Sequence, residues 1–234
     1  TPAVARCLAK YFMDDDMPLR LCYLERTFKN NTSYQGYLKE RAESGAELIG
    51  DDSPDADAEM IAMVIDCLKT AGLKEFQVEL GEVAFYRSLL LQSGLDEDAQ
   101  ARLNDLIENK NRFGVEEFLK NQNMEESLKE AFLKLPELFG GISQIKKAKT
   151  LTHNPQALAA IERLERVHTL LEEYHMADYV SYDLGMLSRY QYYTGIIFKA
   201  YTYGTGDYIV TGGRYNKLLV QFGKDTRQLV LPLW

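Results

Sequence analysis

An α+β fold, one antiparallel sheet with a block of helices inserted into it, is the architecture this sequence predicts. Three observations carry that expectation. Strand-like segments lie near both ends of the 234-residue chain, whereas residues 82–174 read as helix throughout. The hairpin at residues 192–211 is too short to stand alone and needs strands from the other end of the chain as partners. The same region carries Tyr192-Tyr193-Thr194-Gly195-Ile196-Ile197-Phe198 and then Gly212-Gly213-Arg214-Tyr215-Asn216, richer in tyrosine and glycine than ordinary core strands require. Two consecutive domains would satisfy the same order of elements. The short hairpin favours the insertion, with boundaries at 1–81, 82–175 and 176–234.

Each element has its own signal. Residues 2–12 read as a helix with Val4, Leu8, Tyr11 and Phe12 on one side. Residues 21–29 read as a strand ending in the turn-rich Asn30-Asn31-Thr32-Ser33, and residues 39–49 as its successor. Ser53-Pro54 starts a helix as N-cap and first-turn proline; Asp55, Asp57 and Glu59 suit its positive end. Ile61, Val64, Ile65 and Leu68 repeat at helical spacing, and Gly72 serves as C-cap. A strand follows at 75–80. Helices are predicted at 83–92, 97–109, 115–122, 124–133 and 155–174, the last with Leu158, Ile161, Leu164 and Leu171 as its stripe; Gly140-Gly141 marks a loop. Strands return at 179–184, 192–203 and 207–211, with Gly204-Thr205-Gly206 turning the last pair, and 215–222 reads as a short helix.

Composition sets limits. At 46% hydrophobic residues the chain can bury a substantial core. A formal net charge of −8, without long runs of like charge, disfavours broad adsorption to nucleic acid or anionic membrane but leaves room for a local basic groove. No apolar run approaches the roughly 20 residues that span a bilayer, and no leader is visible. Cys7, Cys22 and Cys67 are scattered among apolar neighbours, which predicts buried free thiols of a reducing cytoplasm. His153, His168 and His175 show no metal spacing; His168 and His175 are spaced to share a helical face as solvated positions.

Two groups of residues are candidates for chemistry. Strand periodicity over 41–49 puts Arg41, Glu43, Gly45, Glu47 and Ile49 on one face and Ala42, Ser44, Ala46 and Leu48 on the other. Two carboxylates then bracket a glycine that leaves room for a ligand or another backbone. The competing reading is a solvent-exposed sheet face. In the hairpin, alternation sends Tyr192 and Tyr193 to opposite sides, one to the core and one to a site. Gly212-Gly213 is either a bare hairpin terminus or a turn that approaches a ligand; without a following P-loop helix, phosphate cradling is discounted. No Gly-x-Ser-x-Gly elbow or Cys/His arrangement for nucleophilic catalysis appears.

These residues resemble the histidyl-tRNA synthetase catalytic domain, and more closely its paralogue, the ATP phosphoribosyltransferase regulatory subunit of histidine biosynthesis. The resemblance covers most of the chain outside the helical block. It rests on Thr1-Pro2-Ala3-Val4-Ala5-Arg6, on Arg20-Leu21-Cys22-Tyr23 through Phe28-Lys29, and on Gln35-Gly36 through Gly45-Ala46-Glu47-Leu48-Ile49-Gly50. Asp57-Ala58-Glu59 and the two hairpin motifs complete it. It implies a class II aminoacyl-tRNA synthetase-like antiparallel sheet with flanking helices and an inserted helical domain. Where the synthetase holds ATP phosphate with an arginine, with a glutamate two positions on, this chain has Lys29 and Asn31. An arginine four residues before the paired tyrosines is Ser188, followed by Arg189, and the Gly-Arg-x-Arg segment reads Gly36-Tyr37-Leu38-Lys39. Serine cannot supply a delocalised cation to a developing phosphate charge.

The amino-acid pocket, by contrast, is retained by resemblance. Glu47 matches the glutamate aimed at histidine, Glu43 takes the place of a pocket glutamine, Tyr193 and Tyr215 match pocket tyrosines, and Thr1 matches a threonine near the substrate amino group. Gly45, Tyr192, Gly212 and Gly213 are further candidates for the lining, and Lys29 for a residual phosphate contact. The resemblance therefore implies a non-catalytic, cytoplasmic regulatory subunit without cofactor or metal. It binds histidine and partners the short catalytic subunit of ATP phosphoribosyltransferase as a homodimer within a hetero-oligomer, with no membrane and no tRNA. The enzyme alternative is a divergent histidyl-tRNA synthetase; a third is a module that recognises tRNA-like shapes. The first dimer-forming motif and the arginine-bearing third motif of class II enzymes are both missing, and 226–234 is unlike the family, so a chain truncated at both ends is expected.

Overall fold

The computed structural model describes residues 2–12, 16–28, 39–187, 192–218, 220 and 228–233. The elements in chain order are α1 (Pro2–Tyr11), β1 (Leu19–Phe28), β2 (Glu40–Ile49), α2 (Pro54–Thr70), β3 (Phe76–Glu82) and α3 (Val83–Ser93). They continue with α4 (Glu97–Glu108), α5 (Arg112–Lys120), α6 (Glu126–Lys134), β4 (Phe139–Gly140), α7 (Ser143–Lys149) and α8 (Pro155–Glu173). The chain returns to the sheet through β5 (Val180–Asp183), β6 (Ile196–Thr202), β7 (Val210–Arg214) and β8 (Gln228–Leu233). The strands form one sheet in the order β1-β2-β8-β7-β6-β3-β5-β4. Its pairings are antiparallel apart from β3 with β5, which are joined through α3 to α8 and run parallel, as a long crossover allows.

Local chemistry accounts for most of these elements. In α2, the Ser53 side chain accepts from the Ala56 backbone N–H, Pro54 occupies the first turn, and Ile61, Val64, Ile65 and Leu68 are buried. Gly72, at φ +91°, follows Ala71 in the C-cap position, so the glycine lies one residue beyond the expected cap. Asn154 caps α8 by accepting from Gln156 and Ala157. The inward stripe of α8 includes Ile161, Leu164 and Leu171 together with Ala157, Val167 and Leu170, while Leu158 is half-buried at its margin.

Two apolar layers cover the sheet. On one side α2 to α8 pack over Leu48 of β2, Val78 and Leu80 of β3, and Ile196, Phe198 and Ala200 of β6, in one continuous buried cluster. On the other side Ala5 and Leu8 of α1 join Ile49, Ile197, Tyr193 and Tyr215 in a second. Tyr11, placed by the sequence on the apolar side of α1, is exposed; Ala5, Leu8 and Phe12 form the inward stripe instead.

Several expectations are corrected. The glycine pair 212–213 lies inside β7, not in a turn, because β7 begins three residues later than predicted and runs through Arg214. Strand β6 begins at Ile196, and residues 192–195 are irregular. Of the helix expected at 215–222, residues 216–218 form bend and turn and Val220 is in a 3-10 helix, while 219, 221 and 222 lie outside the described residues. Phe139–Gly140 pairs with β5 where a loop was expected, and α7 carries too short a pattern, Ile145 and Ala148, to be read as a helix. All three cysteines are free but exposed: their apolar neighbours point inward and the thiols fall on the opposite phase. His175 lies beyond the end of α8 at φ 57°, so it shares no helical face with His168, which is half-buried and hydrogen-bonded through Nδ1 to the Tyr182 hydroxyl at 2.8 Å.

Candidate functional site

Strand β2 supplies the acidic wall. Its odd face turns inward as the alternation required, but it is not solvated: Glu47 is 1% exposed and Glu43 8%. The exposed-face reading is excluded because α1 and the tyrosines cover this side. Register pairs Gly45 with Tyr23 of β1. A Cβ on Gly45 would meet Tyr23 Cζ at 2.2 Å and its hydroxyl oxygen at 2.4 Å. The glycine therefore makes room for the Tyr23 ring, where a ligand or another backbone was expected.

The tyrosine wall comes from the segment before β6 and the residue after β7. Tyr193 is buried and Tyr192 half-buried, and their rings lie 4.7 Å apart; Tyr192 also meets the Tyr215 ring edge-on at 5.8 Å. Both members of the pair belong to the same apolar cluster, contrary to the alternation expected of a strand, because residues 192–195 are not extended. Thr194 fastens this segment to the end of β7. Its N–H donates to the Arg214 carbonyl at 2.8 Å, and its Oγ1 accepts from the Asn216 N–H at 2.9 Å. A Cβ on Gly213 would lie 2.7 Å from the Ile196 carbonyl oxygen, 2.8 Å from Ile197 Cγ2 and 2.9 Å from Tyr193 Cδ1, so this glycine lets both β6 and the ring approach; Gly212 instead faces the Phe198 ring on the helix-covered side.

The two walls meet at one hydrogen bond, in which the fully buried Tyr215 hydroxyl donates to Glu47 Oε2. Glu47 Oε1 has no partner among the described residues. Burial pushes the Glu47 carboxyl up to about 8, and the bond from Tyr215 offsets only part of that effect. Burial, followed by the nearby Glu47 charge, pushes the Tyr215 phenol well above its ordinary value. Tyr23 is raised too, first by burial and then by Glu47 and Glu43. Chemically, this is a buried aromatic cluster with acidic groups, bordered by the cleft beside Tyr193. It suits a small planar ligand that carries N–H donors.

Behind the pocket, Arg214 turns to the helix-covered face. Its Nε donates to Asp57 Oδ1 at 2.9 Å, and its Nη1 to Asp52 Oδ1 and the Asp51 carbonyl, both at 3.1 Å. Arg163 of α8 takes the other Asp57 oxygen at 2.6 Å. This buried network ties the start of α2, the helical block and β7 together immediately beside Tyr215. The sequence marks Asp57 as a dipole partner and as part of the Asp57-Ala58-Glu59 motif, and no local pattern reveals that Arg163 reaches it.

Of the remaining sequence candidates, Thr1 and Lys29 lie outside the described residues, as do Ser188 and Arg189. Tyr23 was missed as a site residue; an aromatic opposite a strand glycine was the only available signal. A cleft of about 550 Å³ opens beside Tyr193 and runs along the sheet past Met186 and Lys199 to Asp207 and Tyr208. A larger groove, about 800 Å³ along the outer side of α2 by Met63, Cys67 and Tyr174, lies away from all these groups and is wide open, so the site is assigned to the convergent polar residues. Among the described residues no group of three or more His, Cys, Asp or Glu side chains is placed to hold a metal ion.

Comparison with known proteins identifies the family and the fold. The histidyl-tRNA synthetase family profile matches residues 1–228. The chain is 38% identical over 226 residues to the ATP phosphoribosyltransferase regulatory subunit of Acetivibrio thermocellus, covering 97% of this chain and 54% of that protein. Against the regulatory subunit of Clostridium acetobutylicum it is 38% identical over 227 residues, 96% of this chain and 56% of that one. The chain thus spans about half the length of the relatives it matches. A solved structure from Bacillus halodurans, described as an ATP phosphoribosyltransferase regulatory subunit/histidyl-tRNA synthetase, superposes with a TM-score of 0.90 at 33% identity, covering 98% of this chain and 60% of that one. The ATP phosphoribosyl transferase (HisG:HisZ) complex of Thermotoga maritima, at 17% identity and a TM-score of 0.74 over 99% of this chain and 77% of that one, shares the fold. The chain belongs to the histidyl-tRNA synthetase family, with the class II synthetase-like fold and with relatives that are regulatory subunits of ATP phosphoribosyltransferase.

Proposed function

We propose that this chain is the synthetase-like part of a non-catalytic regulatory subunit of ATP phosphoribosyltransferase, and that it binds free histidine between β2 and the Tyr192–Tyr193–Tyr215 cluster. The observation that carries this reading is the buried Glu47–Tyr215 pair with a carboxylate oxygen left open; in the sequence, by resemblance, synthetase arginines are replaced by Lys29, Tyr37, Lys39 and Ser188. By resemblance the amino-acid pocket is kept and the phosphate-handling arginines are not. Glu43 and Glu47 take the ligand's amino and imidazole groups while Tyr193 and Tyr215 wall the ring, and Thr1 is assigned to the amino group by resemblance alone. The partner is the short catalytic subunit, in a cytoplasmic hetero-oligomer built on a homodimer, without tRNA. Among the described residues no helix is long and apolar enough to cross a membrane. Histidine occupancy controls the partner to the extent that two assembly states bind it with different affinity.

The test uses the full-length protein. Calorimetry is expected to show histidine binding, with no histidine-dependent exchange of pyrophosphate into ATP. Exchange would establish the synthetase reading instead, and absence of binding would remove the sensor.

A further inference from the structure

Both chain neighbours of Tyr215 are held from outside the pocket. Arg214 reaches Asp57 and the segment 51–53 through four hydrogen bonds. Asn216 Nδ2 donates to Asp52 Oδ1 at 3.2 Å. The Asn216 N–H donates to Thr194 Oγ1 and the Thr194 N–H to the Arg214 carbonyl, so the residue that follows Tyr193 is tied to the same place. Asp57 and segment 51–53 thus anchor both buried tyrosines.

One residue of the helical block grips that anchor. Arg163 Nε donates to Asp57 Oδ2 at 2.6 Å, and its Nη2 donates to the Asp52 and Ser53 carbonyls at 2.9 and 3.0 Å. The apolar stripe of α8, with Ile161, Leu164 and Val167, already docks the helix. A buried ion pair adds little net stability, because desolvation offsets the attraction, whereas a planar guanidinium fixes the direction of every group it bonds. All three bonds of Arg163 go to the anchor, so its specific effect is on the geometry there.

We propose that Arg163 is a positioning residue of the pocket: through Asp57 and segment 51–53 it sets Arg214 and Asn216, and with them Tyr215 and Tyr193, without touching the ligand. This rests on the histidine-binding reading above and deepens it, because it names the element through which occupancy is felt elsewhere. Linkage makes the effect reciprocal. If the grip of Arg163 favours the binding geometry, occupancy favours that grip by the same factor. The occupied state is then registered at α8, on the helix-covered face of the sheet, while the pocket lies on the other.

The experiment uses the full-length protein and two independent readings. Hydrogen exchange of the wild type is followed over residues 157–167 with and without saturating L-histidine, and histidine is titrated calorimetrically into wild type and Arg163→Met well below both melting temperatures. Histidine is expected to slow exchange in this part of α8 in the wild type, and that slowing is expected to vanish in Arg163→Met. The variant is expected to bind histidine about tenfold more weakly while still fully folded. A variant with a lower Tm but unchanged affinity overturns the inference, since a merely structural arginine behaves that way. Wild-type exchange in α8 that ignores bound histidine also overturns it, and that reading needs no variant to fold. A wild type that does not bind histidine removes the underlying reading and this inference with it, an outcome distinct from binding without an effect at Arg163.

Discussion

Replacing Glu47 with glutamine should make the protein more stable relative to wild type as the pH rises. Glu47 is 1% exposed, carries one unpartnered oxygen, and has its carboxyl pushed from an ordinary 4.5 to about 8. Between those values the folded protein holds a proton that the unfolded chain releases, so the unfolded state binds fewer protons and stability declines with increasing pH. At about 1.36 kcal/mol per pH unit, the full interval amounts to a ceiling of about 5 kcal/mol, complete once the pH passes the folded value. Glutamine is neutral throughout and still accepts from Tyr215, so its variant lacks this component. Urea unfolding at pH 5, 6, 7 and 8 measures the difference. The gap in favour of Glu47→Gln is expected to widen by at least about 1 kcal/mol from pH 5 to pH 8. Parallel stability curves, or a wild type that gains on the variant with rising pH, would refute the reasoning that Glu47 is buried without compensation.

Two further outcomes follow from particular contacts. Gly45→Ala places a Cβ 2.2 Å from Tyr23 Cζ. The far end of that ring can swing aside, so unfolding is expected to cost only about 1–3 kcal/mol less than in wild type while calorimetric histidine affinity collapses; retained affinity would show that Tyr23 does not shape the pocket. Asp57→Ala leaves Arg214 and Arg163 without the carboxylate they share at 2.9 and 2.6 Å, and it is expected to destabilise the fold by about 3–5 kcal/mol in urea unfolding. A loss below about 1 kcal/mol would mean that Asp52 and the nearby carbonyls neutralise both arginines unaided.

The sequence made the capped and periodic elements legible. Ser53-Pro54 and Asn154-Pro155 start α2 and α8 because side-chain caps and first-turn prolines act within a few residues. Which residues share each face of β2 was legible too, since strand alternation needs only local geometry. The region 192–215 misled for the same reason. Alternation was applied to residues 192–195, which Thr194 instead fastens to Arg214 and Asn216 through bonds to a segment about twenty residues away. Glycines 212 and 213 looked like a turn, because the aromatic rings that require them, Phe198 and Tyr193, reach them only across the folded sheet.

By itself, then, the sequence determined most of the order of strands and helices, an acidic and aromatic set of candidate residues, and, by resemblance, the replacement of four synthetase arginines by Lys29, Tyr37, Lys39 and Ser188. Those are properties of residue type and short-range spacing. Only the tertiary structure decided that Glu43 and Glu47 are buried instead of solvated, that Tyr192 and Tyr193 share one side, and that Tyr23 occupies the space above Gly45. Burial and pairing across a sheet depend on which distant segment covers a face, and no local pattern carries that information.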